Sequence, residues 1–255
     1  MLLCIDIGNT NLVFGLCEGS RWLDCWRVRT VQSKMPDEYA MLLKTLLRER
    51  GYDLQDVGEV AIASVVPRLK TVFQELFTRY LGVEPLILGP GVKTGLKIRI
   101  DNPVELGADL VADAVAAYDR FTSACIIIDF GTATTFSAVS KDGEFMGVAI
   151  APGIEVTAAA LSSRAAQLPR VSLVPPPKAI GTNTVHSMQS GLIYGFIGLV
   201  DGLTRRIREE LGGEAVVVAT GGLSKVLASL TEEIDEIDID LTLKGLRIIM
   251  ERNKG

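Results

Sequence analysis

Apolar and polar positions along the chain change period several times, and the changes mark out the elements. Residues 2–7 and 12–17 are short apolar runs, and they read as two strands joined by the turn "GNTN". "RWLDCWRVRT" (21–30) continues as a third strand. "PDEYAMLLKTLLRERG" then takes a helical period: Pro36 suits the first turn, acidic residues follow it, basic residues close the helix and Gly51 stops it. "VAIASVV" (60–66) predicts a buried strand. "RLKTVFQELFTRYLG" predicts an amphipathic helix with Val72, Phe73, Leu76, Phe77 and Tyr80 on one face, and "PLILG" predicts another strand. The order of the first half is therefore β-β-β-α-β-α-β.

After a Gly- and Pro-containing loop, "ELGADLVADAVAAYDRF" predicts a helix. "CIIIDFG", "TTFSAVS" and "EFMGVAI" then read as three strands, with Asp142-Gly143 as a hairpin turn. Helices are expected around 153–164 and 186–211. A strand at 215–220, the turn "GGLS", a short helix and "DIDLTLKGLRIIMERN" complete the chain.

Both halves thus begin with three strands, and both place Asp-x-Gly at the first hairpin. "LLCIDIGNTNLVFG" near the start and "CIIIDFGTATTFSA" at 125–138 share one pattern. This predicts a duplicated α/β protein with a mixed sheet flanked by helices in each half. The boundary is expected near residues 118–124, giving domains 1–118 and 119–255, with the C-terminal helix free to pack back on the first. Two related domains can each present one loop to a shared cleft.

A glycine after a strand lets the backbone approach a ligand, and successive N–H groups in such a turn make an anion-binding nest. Thr10, Thr132, Thr134 and Thr135 add hydroxyls. Asp6 and Asp129 cannot bind phosphate directly, but they can hold a cation that does. Neither loop contains a lysine. The pair therefore reads as a metal-assisted clamp on a nucleotide phosphate chain. "GPGVKTG" (89–95) is not a P-loop, because Val92 separates Gly91 from Lys93. "TGGLS" (220–224) follows a strand and opens a helix, which suits a nucleoside or α-phosphate as well as an ordinary turn.

Composition narrows the picture further. The 255 residues are enough for one large domain or two smaller ones, and 48% hydrophobic with 22% charged residues is a globular balance. A net charge of −5 argues against a general nucleic-acid or anionic-membrane binder. No apolar stretch reaches the length of a membrane span, and Asp6 interrupts the first apolar run too early for a signal peptide, so a cytoplasmic location is expected. Cys4, Cys17, Cys25 and Cys125 form no C-x-x-C pair and read as buried small hydrophobes, and the single His186 does not complete a zinc site.

In their order along the chain, "DIGNTNLVFG", "DNPVELGAD", "IIIDFGTATTF", "APGI", "LPRV", "IGTNTVHSMQSGLIYG", "ATGG" and "DIDLTLKGL" resemble the actin/hexokinase/Hsp70 superfamily of ATP-binding folds. Within it they resemble the type III pantothenate kinases, over nearly the whole chain. The resemblance implies duplicated ribonuclease H-like (actin-like ATPase) domains. It also implies transfer of the γ-phosphoryl group of ATP to the primary hydroxyl of pantothenate, the first step toward coenzyme A. Carried over by motif, Asp6, Ile7, Gly8, Asn9, Thr10, Asn11, Leu12 and Val13 hold the ATP phosphates with Thr132, and Asp6 is a candidate Mg2+ ligand. Asp129 takes a monovalent cation, K+ or NH4+. Ile100, Gly107, Ala108, Asp109 and Leu110 contact pantothenate, with Asp109 as the base, and Thr184 reaches it across a homodimer interface.

Two positions depart from the family pattern. Leu110 stands where Arg is common, and Ile100 where an aromatic residue is common; both bear on pantothenate affinity more than on phosphoryl transfer. Asp113, one helical turn after Asp109, reads as a solvated acid. Gly191, Gly195, Gly198 and Gly202 form one stripe on the long helix, suited to close helix packing or to a symmetric dimer contact. Two rival readings are a non-catalytic nucleotide-binding regulator and a phosphatase of the same superfamily that needs no acceptor.

Overall fold

The computed structural model describes residues 1–165 and 167–254. The chain divides into two compact units. One comprises Met1–Leu96, Asp101–Ala116 and the chain from Asp240 onward; the other comprises Lys97–Ile100 and Ala117–Ile239.

In the first unit, β1 (Leu2–Ile7), β2 (Asn11–Glu18), β3 (Arg21–Arg29), β4 (Glu59–Ser64) and β5 (Leu86–Ile87) form a sheet ordered β3-β2-β1-β4-β5. β1–β2 and β2–β3 are antiparallel, whereas β1–β4 and β4–β5 are parallel. Alternation sorts the side chains of β1. Leu3, Ile5 and Ile7 enter a core closed by α1 (Pro36–Arg48) and α2 (Pro67–Leu81), while Cys4 and Asp6 take the other face. Phe73 anchors that core between Tyr39 and Phe77, with ring centroids 4.8 and 6.3 Å away. Burying such a ring contributes about 1.5–3 kcal/mol. Pro36 occupies the first turn of α1, and α2 ends at Gly82 in the left-handed conformation, φ 65°.

The opposite face of this sheet is covered by α7 (Leu241–Asn253), which packs on β1 and β4. Gly15 in β2 makes room there: a Cβ would lie 2.6 Å from the Trp22 ring and 2.8 Å from Leu243. Gly245 of α7 lies against the Ala112 backbone of α3 (Ala108–Phe121), and any side chain at 245 would overlap the Ala112 carbonyl. Residues 110–117 of α3 are buried without interruption. Asp113 is therefore not a solvated acid; it is 2% exposed. Its neighbours Val111, Ala112, Ala114 and Val115 are apolar on every side of the helix, and that all-round pattern is the mark of a buried helix rather than a surface one.

The second sheet repeats the first. β7 (Cys125–Phe130), β8 (Ala133–Val139), β9 (Glu144–Pro152), β10 (Val216–Thr220) and β11 (Glu236–Ile237) pair in the same senses as β1 to β5. A sixth strand, β6 (Lys97–Ile98), adds to β9 in an order β11-β10-β7-β8-β9-β6. The sequence predicts no strand there; it is held by Lys97 N–H to the Gly143 carbonyl (3.0 Å), Arg99 N–H to the Phe145 carbonyl (2.9 Å) and the Arg99–Glu144 ion pair (2.7 Å). Gly143 closes the expected hairpin at φ 71°. Ile126, Ile128, Phe130 and Phe136 form the core with α4 (Ile154–Arg164) and α5 (Thr184–Glu210), joined by Leu227 of α6 (Ser224–Ala228).

Three of the four cysteines are buried as expected, but Cys25 is exposed on β3. Its thiol is pushed up to about 11 by partial burial and by Asp240, whose Oδ1 is 3.9 Å from Sγ. At pH 8 Cys25 carries roughly a hundredfold less thiolate than a free thiol, and because a more basic thiolate is also a better nucleophile it is expected to react with a disulfide reagent roughly tenfold more slowly. A stopped-flow thiol titration of the native protein checks this; a fast single-thiol phase would contradict it.

Candidate functional site

The β1–β2 loop is built by three hydrogen bonds. Gly8 N–H donates to the Asn11 carbonyl (3.0 Å), Thr30 N–H to the Thr10 carbonyl (2.9 Å), and the Thr30 hydroxyl to the Gly8 carbonyl (2.6 Å). Asn9, Thr10 and Asn11 are left exposed at its tip, whereas Ile7 and Leu12 are wholly buried and anchor it. Asp6 lies opposite Val13 on β2 and Ala63 on β4. Among the described residues no three His, Cys, Asp or Glu side chains gather to hold a metal. A Mg2+ ion at Asp6 would take its other ligands from phosphate oxygens and water, its usual arrangement in phosphoryl-transfer sites.

The β7–β8 loop repeats the construction with one residue fewer. Gly131 N–H donates to the Ala133 carbonyl (3.1 Å), and Gly153 N–H donates to the Thr132 carbonyl (3.0 Å). Thr132 thus occupies the place of Thr10, and Gly153 that of Thr30. Gly153 of "APGI" packs so closely on Gly131 and Thr132 that a side chain would collide with their backbone. Gly221 of "TGGLS", at φ 89°, does the same to Asp129: a Cβ would overlap Oδ1 and lie 2.7 Å from the Phe130 carbonyl oxygen. A Cβ on Gly131 would lie 3.3 Å from Asp129 Oδ2. The Asp129 carboxylate therefore sits between two bare α-carbons. Thr30 is absent from the motif-based set, and Gly153 and Gly221 enter it only as members of "APGI" and "TGGLS", without a role toward Asp129. The repeated strand register points to Thr30 and Gly153, because each follows the third strand of its half.

Asp109 lies in the first turn of α3. Its Oδ1 accepts from Leu110 N–H at 2.8 Å, and a Cβ on Gly107 would be 2.5 Å from the same oxygen. Burial pushes its pKa above the ordinary carboxylate value, against the lowering effect of the backbone hydrogen bonds from Leu110 and from its own N–H. The result is a fixed carboxylate with raised proton affinity, which is what a general base needs. Leu110, the next residue, is 9% exposed, so its apolar side chain is largely withdrawn from solvent. Ile100 is half-buried and follows β6 in the second unit.

Thr184 opens α5, where Asn183 caps the helix by accepting from His186 N–H at 2.9 Å. An open surface depression of about 520 Å³ is lined there by Leu168, Gly181, Thr182, Thr184, Ser187 and Met188. The Pro-rich segment before α5 is fastened to it by Gln189 to the Ser172 carbonyl (3.0 Å) and Tyr194 to the Pro176 carbonyl (2.9 Å).

A family model described as type III pantothenate kinase matches residues 2–206. The chain belongs to that family. Over 253 residues it is 51% identical to a type III pantothenate kinase of Moorella thermoacetica, covering 99% of this chain and 100% of that protein. It is also 51% identical over 253 residues to one of Myxococcus xanthus, with 99% of each covered. Among solved structures it is similar to a Campylobacter jejuni protein described as a Baf family transcriptional activator (TM-score 0.64, 20% identity, 98% of each chain). It is also similar to an inorganic polyphosphate/ATP-glucomannokinase of Arthrobacter (TM-score 0.51, 15% identity, 99% of each chain). At these identities the structural likeness speaks for the fold alone: the duplicated, mixed-sheet α/β architecture of actin-like ATPases and sugar kinases. Family membership rests on the full-length matches.

Proposed function

We propose that this chain catalyses ATP-dependent phosphorylation of pantothenate to 4'-phosphopantothenate, the first step of coenzyme A biosynthesis. Likeness along its full length to type III pantothenate kinases at about half identity carries the reading. In it, Asp109 accepts the proton of the primary hydroxyl as that oxygen bonds to the γ-phosphorus and ADP leaves. Phosphoryl transfer needs mainly positioning and charge stabilisation, so the fixed geometry around Asp109 is the larger part of its contribution. Asp6 to Val13 and Thr132 serve the ATP phosphates; exposed Asn9, Thr10 and Asn11 offer side-chain donors, while Ile7 and Leu12 act through the backbone they hold. Asp129 holds a monovalent cation, K+ or NH4+, and a divalent ion accompanies ATP. Leu110, largely buried, leaves the pantothenate site without a guanidinium at that position.

The deciding measurement is ATP consumption with and without pantothenate, in potassium and in sodium buffer. Pantothenate-dependent turnover, faster in potassium, is expected. Hydrolysis without pantothenate would indicate a phosphatase, no consumption a regulator, and equal rates in both salts would remove the monovalent cation.

A homodimer with shared sites is part of the proposal. Around each of Gly191, Gly195, Gly198 and Gly202, beyond the adjoining backbone of the helix itself, no described atom is within 4 Å of where a Cβ would stand. An open stripe on a 27-residue helix suits a second copy better than an internal neighbour. Gly195→Ala should raise helix stability by about 1 kcal/mol in a monomer, whereas Gly195→Leu should split a dimer and abolish activity along with it. Sedimentation equilibrium of Gly195→Leu decides; an unchanged mass would clear the stripe of any role in assembly.

A further inference from the structure

The two copies of the Asp-x-Gly loop differ in what flanks the aspartate. On the first sheet Asp6 stands beside Val13 and Ala63. At the same place on the second sheet Asp129 stands beside Thr135 on β8 and Thr220 on β10. Directly paired residues on neighbouring strands project from one face of a sheet, so two hydroxyl-bearing side chains bracket the Asp129 carboxylate where two apolar ones bracket Asp6.

Thr135 and Thr220 are 9% and 3% exposed, and the Thr135 hydroxyl makes no hydrogen bond. A buried hydroxyl without a partner is costly, by an amount comparable to a hydrogen bond, and native proteins keep few of them. A cation resolves the cost. It sits between oxygens that are themselves too far apart to hydrogen-bond, and it draws its ligands from carboxylate, carbonyl and hydroxyl oxygens alike. One carboxylate with neutral hydroxyls carries a single negative charge, which matches a monovalent ion rather than a divalent one. Gly221 keeps the space beside Asp129 Oδ1 free of any Cβ.

We propose that the Thr135 hydroxyl is a ligand of the monovalent cation held by Asp129, and that this Asp-Thr pairing distinguishes the second loop from the first. The inference rests on the reading of Asp129 as a cation site, and the experiment separates the two. The full-length protein is titrated with potassium chloride against choline chloride at constant ionic strength, and the thermal midpoint is followed, since an ion that binds the native state raises it. Wild type should rise with potassium and Asp129→Ala should not. Thr135→Val should need roughly tenfold more potassium for half its effect, while in choline its midpoint equals or exceeds that of wild type because an unpaired hydroxyl has been removed. Thr135→Ser should behave as wild type. Thr135→Ala removes the same hydroxyl with a different packing change and should shift the titration as Thr135→Val does. If the Val and Ala variants follow the wild-type curve while Asp129→Ala is inert, Thr135 is not a ligand and Asp129 keeps its role. If wild type ignores potassium, or Asp129→Ala responds as wild type does, the cation site itself is misplaced and Thr135 falls with it.

Discussion

Asp109→Asn is expected to lower turnover by about two to four orders of magnitude, the range for loss of a general base, and at the same time to raise the thermal midpoint at neutral pH. The two effects have one cause. Burial raises the Asp109 pKa above its ordinary 3.8, so the folded protein holds that proton more tightly than the unfolded chain does. Above the unfolded value, keeping the half-buried group ionised costs folding free energy, and the cost is complete once pH exceeds the folded value. Asparagine removes the charge and keeps the acceptor for Leu110 N–H, which now meets Oδ1 at 2.8 Å. The gain in midpoint over wild type should therefore shrink as pH falls through the raised pKa toward 3.8, where the wild-type carboxyl is neutral too. Activity of the wild type should show an acid limb above that of an ordinary carboxylate, because the base must be ionised. Paired melting curves and pH–rate profiles test both halves. Near-normal turnover in the variant would remove Asp109 from the chemistry, and a lower midpoint at neutral pH would mean that its charge is better compensated than the burial indicates.

The second large effect is expected at Gly221, a residue with no chemistry of its own. Gly221→Ala places a methyl against Asp129 Oδ1 and 2.7 Å from the Phe130 carbonyl oxygen, on a backbone at φ 89°. A non-glycine residue in such a conformation costs about 1–3 kcal/mol by itself, and the collision must also displace Asp129 or its strand. The thermal midpoint should drop, and the potassium response should weaken in parallel. Gly91→Ala is the matched control: its φ is 90°, but beyond its chain neighbours no described atom is within 4 Å of its Cβ position, so the backbone strain is the same while the potassium response should not change. An unchanged midpoint and potassium response in Gly221→Ala would mean that the turn opens easily and does not shape the site.

The departures between sequence and structure share a physical origin. β6 and β11 span two residues each and have no hydrophobic period; β6 exists because Lys97 and Arg99 find carbonyl partners at Gly143, just before β9, and at Phe145 on it. The helix expected from residue 105 begins at Ala108, since Pro103–Glu105 closes as a separate 3-10 turn. Asp113 reads as solvated by residue type, yet α3 is covered all round. Cys25 reads as buried by residue type, yet it faces out from β3, the edge strand of its sheet.

What the sequence determined by itself is local or repetitive. Apolar periodicity located the long helices and central strands, because burying one face of an element requires that spacing. The recurrence of Asp-x-Gly after an apolar run disclosed the duplication and the two loops, and Gly107-Ala-Asp109 marked a carboxylate at a helix start. Only the tertiary structure decided which residues surround those groups. An ungapped reading of the two loops sets Thr135 against Leu12; the fold sets it against Val13, because the first loop is one residue longer. Thr135, Thr220 and Gly221 come from two segments of the chain and meet at Asp129 only through strand pairing. Strand register is settled by contacts between distant residues, and those contacts leave no period in the sequence to read.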